Sequence, residues 1–83
     1  GTPEFNENQV IIFRDKSKII QISTGNYTME KVKIHDISGR LLYESKGVNS
    51  NLLAIDNLIG IADQVLLVTI TTTENKIITK KVF

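Results

Sequence analysis

The sequence predicts an all-β domain in which seven short antiparallel strands close into a sandwich or a barrel. Three observations carry that expectation. Short β-branched runs recur at spacings of roughly ten residues, separated by turn-forming residues. Lys31-Val32-Lys33-Ile34-His35 alternates strictly, with Val32 and Ile34 on one face and the charged side chains on the other. No segment keeps an apolar i, i+3, i+4, i+7 stripe free of Gly, Asn or Thr, so a helical reading fares poorly.

In chain order, strands are expected at Val10–Arg14, Lys18–Ser23, Glu30–Asp36, Arg40–Lys46, Leu52–Asp56, Val65–Thr72 and Lys76–Val82. The fifth is the weakest, because Leu52, Leu53, Ile55, Leu58 and Ile59 could instead line one short helix over Leu52–Ile61. Adjacent apolar residues in Val10-Ile11-Ile12-Phe13, Leu41-Leu42 and Val65-Leu66-Leu67-Val68 put one residue inward and the next outward. Either a second layer covers those outward residues, or they form an exposed apolar strip.

The turns read more sharply. In Asp36-Ile37-Ser38-Gly39, Asp opens and Gly closes a type I turn, the preferred place for each. The Asp36 carboxylate is expected to accept the Ser38 N–H. Gly39 takes the positive φ of a three-residue hairpin with a bulge. That pairs Val32–Asp36 with Arg40–Glu44. A second hairpin is expected at Thr73-Glu74-Asn75, where Asn75 tolerates the left-handed conformation. Ser23–Asn26 and Lys46–Asn51 read as looser loops.

The 83 residues suffice for one domain. Gly1-Thr2-Pro3-Glu4-Phe5 reads as the scar of a cleaved fusion tag, so the domain is expected over Asn6–Phe83. Lys80-Lys81-Val82-Phe83 reads as a natural C-terminus. Ten basic residues against nine acidic leave a net charge of +1, which argues against a nucleic-acid partner. Lys31, Lys33, Lys76, Lys80 and Lys81 also lack the interleaved aromatics of a single-strand binder, and lysines commonly guard sheet surfaces. The absence of Trp weakens a sugar platform in the same way.

Chemistry finds little footing. His35 stands beside Asp36 and near Ser38, but neighbouring strand residues point to opposite faces, so no triad converges. Asp15, Glu30, Asp36, Glu44, Asp56, Asp63 and Glu74 are scattered singly, unlike a calcium loop. There is no cysteine, and the glycines are isolated rather than gathered in a phosphate loop. No enzyme activity, cofactor, metal or small-molecule substrate is expected.

The segment Val32-Lys33-Ile34-His35-Asp36-Ile37-Ser38-Gly39-Arg40-Leu41-Leu42-Tyr43-Glu44 resembles the V-x-I-x-D-x-x-G-R-x-L hairpin of the C-terminal sorting domains of the Bacteroidetes type IX secretion system. The downstream order is similar too: Val48–Ile55, then Asp63–Ile70, then Lys76–Phe83 with its lysine-containing end. The opening Pro-Asn-Pro of the commonest subtype is replaced by Asn6–Val10. Its Gly-x-Tyr is absent from Gly60-Ile61-Ala62-Asp63-Gln64-Val65. Asp63–Val68 resembles the less common type C subtype.

The resemblance implies an immunoglobulin-like antiparallel β-sandwich that acts as a folded export signal. Implied partners are the outer-membrane translocon, shuttle and sortase proteins, together with an upstream cargo domain. The domain itself is expected to be a monomer, and is commonly removed by proteolysis afterwards. The implied location is the periplasm in transit, then the cell surface or the medium. Asp36, Ser38 and Gly39 are the expected structural turn; Arg40 and Thr79, Lys80, Lys81, Val82 and Phe83 are the expected recognition residues. The rival expectation is a passive immunoglobulin-like spacer or adhesion module of a surface protein.

Overall fold

A computed structural model describes residues 9–58 and 64–83. They form seven strands: β1 (Ile11–Arg14), β2 (Ile20–Ser23), β3 (Met29–Asp36), β4 (Leu41–Ser50), β5 (Leu52–Ile55), β6 (Leu66–Thr72) and β7 (Ile77–Val82). Every pairing is antiparallel. One sheet has the order β1-β2-β5 and the other β4-β3-β6-β7. No α-helix occurs among the described residues, and Leu52–Ile55 is a strand rather than the start of one.

Alternation decides which side of each strand is buried. In β3, Val32 and Ile34 lie fully inside while Lys31, Lys33 and His35 face outward. In β6, Leu66, Val68 and Ile70 are inside and Leu67, Thr69 and Thr71 outside. The smaller sheet contributes Ile20, Ile22 and Ile55 to the same cluster, so the two sheets share one core. Complete burial of each such side chain is worth about 1.5–3 kcal/mol. The two central strands of the larger sheet therefore supply much of the apolar stabilisation.

The expected strand ends hold to within two residues except at the end of β4. There the loop expected at Lys46–Asn51 is instead a continuation of the strand to Ser50. Lys31 pairs with Lys46 and Met29 with Ser50, so two steps along β3 face four along β4. Gly47 (φ 65°) and Asn49 (φ 51°) absorb the surplus as left-handed residues in a bulge. Gly and Asn are loop formers for the same reason, which is why the sequence pattern misreads this stretch.

The sheets are linked at both flanks. On one, only Asn51 separates β4 from β5, so the chain steps directly from one sheet to the other. The Asn51 carbonyl accepts the Thr24 N–H (2.9 Å), and its side-chain amide donates to the Gly25 carbonyl (2.7 Å). On the other flank, the Lys80 ammonium of β7 donates to the Val10 carbonyl at 2.9 Å, just before β1.

Removing the charged donor of that link strands a carbonyl between the sheets. Lys80→Met is expected to lower unfolding stability by about 1–2 kcal/mol in urea titrations. Lys81→Met, on the exposed face of the same strand, should stay within about 0.5 kcal/mol of the parent. Equal effects would show that the Lys80–Val10 link contributes nothing specific.

Candidate functional site

The turn singled out by sequence is built around one carboxylate. Asp36 Oδ1 accepts the Ser38 N–H (3.0 Å), the Arg40 N–H (2.9 Å) and the Ser38 hydroxyl (2.6 Å). The Gly39 N–H donates to the Asp36 carbonyl at 3.0 Å, closing the turn, and Gly39 has φ 92°. The Asp36 N–H in turn donates to the Arg40 carbonyl at 3.0 Å. Arg40 Nε lies 3.2 Å from Asp36 Oδ2, with most of the guanidinium side chain left in solvent. Asp36, Ser38 and Gly39 thus stand in the turn as expected, and β3 pairs with β4 through a register shift between Ile34 and His35.

The same construction recurs twice. Asp15 Oδ1 accepts the Ser17 and Ile19 N–H groups (2.8 and 3.0 Å), and Lys18 holds φ 66°. Thr72 Oγ1 accepts the Glu74 and Lys76 N–H groups (3.3 and 3.1 Å), and Asn75 holds φ 63°. In each, the residue that supplies the side-chain oxygen opens the turn, and the residue three places on is left-handed. The expected hairpin around Asn75 is this third turn. The first escapes the sequence pattern, which places Lys18 in a strand. Its signal is Asp15-Lys16-Ser17, which repeats the Asp-x-Ser of Asp36-Ile37-Ser38 without the glycine.

Cross-strand register brings the turn and the chain end together. Asp36 is opposite Leu66, and Leu66 is opposite Val82; His35 is opposite Leu67, and Leu67 opposite Lys81. The Asp36–Arg40 turn and the end of β7 therefore occupy one end of the larger sheet. Two strand spacings separate them, roughly 10 Å. The expected recognition residues then divide by face. Lys81, Thr79 and Phe83 are exposed, Phe83 at 81%. Val82 is buried in the core and Lys80 is engaged with Val10. Thr79 Oγ1 lies 3.1 Å from Thr69 Oγ1 across the β6–β7 pair.

His35 and Asp36 diverge, His35 to the outer face and Asp36 into its own turn. Lys33 pairs with Glu44 across β3 and β4 at 3.5 Å. Among the described residues no group of three or more His, Asp or Glu could hold a metal, and no helix is long and apolar enough to cross a membrane. Of the segments compared with the subtypes, Asn6–Asn8 and Gly60–Asp63 lie outside the described residues, as does the expected scar Gly1–Phe5.

A family described as a domain of unknown function (DUF8694) matches residues 1–83. The chain belongs to that family. The DUF8694 match spans both sheets and all three oxygen-capped turns. No curated protein matches the sequence.

The turns make stability depend on acid. Hydrogen bonds from Ser38, then the Arg40 backbone, hold the Asp36 carboxyl below its ordinary 3.8. Gln21 and then the Ile19 backbone do the same for Asp15. A depressed folded-state value means stability that is present above the ordinary value and lost as pH falls through the folded-state one. Urea midpoints should therefore hold from pH 7 to about 5 and decline below about 4, with a shallower decline in Asp36→Asn. An unchanged acid limb in that variant would remove Asp36 from the account. Gly39→Ala should cost about 1 kcal/mol through backbone strain alone, because its Cβ would meet nothing within 4 Å. A mutant that melts like its parent would show the turn accommodating a side chain freely.

Proposed function

We propose that the domain is a folded C-terminal secretion signal that directs an attached cargo protein to a type IX outer-membrane translocon. The observation that carries this reading is the resemblance of the Val32–Glu44 hairpin, whose turn stands beside the end of the last strand. On this reading the two paired sheets are an immunoglobulin-like sandwich. Its rigidity is useful, since a preordered surface loses little conformational freedom on docking. β7 is the last strand of its sheet, beside the lead-in to β1 that Lys80 holds, and on this reading a partner strand adds along the rest of that edge. Lys81, Phe83 and Arg40 form the contact face, while Lys80 and Val82 hold the strand in place. The cargo lies upstream and is parted from the domain by proteolysis after passage.

The alternative is a passive spacer or adhesion module, and the anchoring of Lys80 and Val82 in the fold favours it. The two readings differ in what the outward residues do. A reporter fused ahead of residues 6–83 should be exported by a type IX-competent bacterium. Lys81→Glu combined with Phe83→Ser should reduce export at least about tenfold while circular dichroism and melting stay unchanged. Undiminished export by that folded double variant would exclude the outward face of the tail as the recognition element. Failure of the parent fusion, alongside a native sorting signal that exports the same reporter, would favour the spacer.

A further inference from the structure

The outer face of the smaller sheet has no cover among the described residues, and four of the six residues in its two outward rows are apolar. Cross-strand register sets Ile11, Ser23 and Leu52 in one row and Phe13, Gln21 and Ala54 in the next. Ile11 is 57% exposed, Phe13 50% and Leu52 64%. Neither row carries a formal charge. An open hollow of about 370 Å³ lies here, lined by Phe13, Ser23, Leu52 and Ala54 among others. That is room for one or two large apolar side chains.

β5 is also the free edge of this sheet. Strand residues direct their backbone groups to alternate sides. Asn51 gives its carbonyl to Thr24 on the β2 side, whereas the Leu52 N–H turns the other way to Ser50 Oγ (3.1 Å). The Leu52 carbonyl and both backbone groups of Ala54 therefore face the open edge, with no strand beyond them among the described residues. The opposite edge, β1, is joined to β7 through Lys80 and Val10. The hollow and the open edge meet at Leu52 and Ala54.

We propose that the β5 edge and the adjoining apolar face form a docking site for an extended, uncharged peptide segment with large apolar side chains at alternate positions. The peptide adds a strand beside Leu52–Ile55, and its alternate side chains turn onto Phe13, Leu52 and Ala54. The size of the face selects this occupant over a second copy of the chain. With Ile11, Phe13 and Leu52 each half to two-thirds exposed, the face offers on the order of 400 Å² of accessible surface, short of the about 800 Å² per partner of a standard stable interface. The absence of charge within the rows suits an uncharged segment, and the Asp15 carboxylate held by Gln21 beside them disfavours an acidic one. This inference stands apart from the export reading, since it uses neither the Asp36 turn nor the tail.

The test is a titration of the ¹⁵N-labelled 83-residue protein, followed by NMR. The probe is a blocked peptide that alternates threonine with valine and phenylalanine and carries one lysine at each end. A matched peptide is N-methylated at alternate amides, which removes the donors a ladder needs. Expected are saturable shifts at Leu52–Ile55, Phe13 and Ser23, at least tenfold weaker binding by Ala54→Arg and by Phe13→Gln, and loss of binding by the methylated peptide. Both substitutions lie on the exposed face, and retained spectral dispersion reports their folding. No saturable binding, shifts centred on β4 or β7, or equal binding of the methylated peptide would each overturn the proposal. So would concentration-dependent dimerisation through these same residues.

Discussion

The fold rests on a side-chain oxygen that takes the place of a missing backbone partner. At Asp15, Asp36 and Thr72 the chain must reverse between strands, which leaves N–H groups that no ladder can satisfy. One oxygen at the start of each reversal accepts two of them. That fixes the turn length at a single value, and turn length fixes strand register. Register is decisive in a two-faced sheet, because a slip of one residue in β3 would expose Val32 and Ile34 and bury Lys31 and Lys33. The polar turns and the apolar core therefore depend on each other, although one meets water and the other excludes it.

The three reversals meet the left-handed requirement with three different residues. Gly39 meets it without strain, Asn75 at little strain, and Lys18 only against the ordinary preference of a long side chain. This explains what was legible. The Asp36 and Asn75 turns announce themselves because Gly and Asn advertise the conformation. The Asp15 turn does not, because its left-handed residue is a lysine and only the spacing of Asp15 and Ser17 betrays it. The bulge in β4 is the converse, where Gly47 and Asn49 advertise a loop inside a paired strand. Strand existence was readable nearly everywhere, since burial on one face imposes a period of two on the sequence.

The candidate site was readable in part. Asp36, Ser38 and Gly39 declare their roles locally, within five residues. The tail does not. Whether Lys80 or Lys81 faces the partner strands, the core flank or solvent depends on the register of β7 against β6, a relation between distant segments. The pairing of Leu66 with both Asp36 and Val82 is likewise invisible in the sequence, yet it is what sets the turn and the chain end at one end of the sheet. The adjacent apolar residues of Val10–Phe13 find their explanation in the exposed apolar rows on β1 and β5. There the outward residues stay uncovered among the described residues, while in the larger sheet Leu67 is half-buried.

The Lys80–Val10 hydrogen bond gives the domain a mechanical property. It joins positions 70 residues apart in sequence, the lead-in to the first strand and the body of the last. Tension applied between those two strands is shared by this bond and by the Arg14 guanidinium, which donates from β1 to the Gln64 carbonyl ahead of β6. A clasp at the flank yields sooner than a ladder pulled in shear, so the inner pairings of the larger sheet are shielded from the first part of any pull.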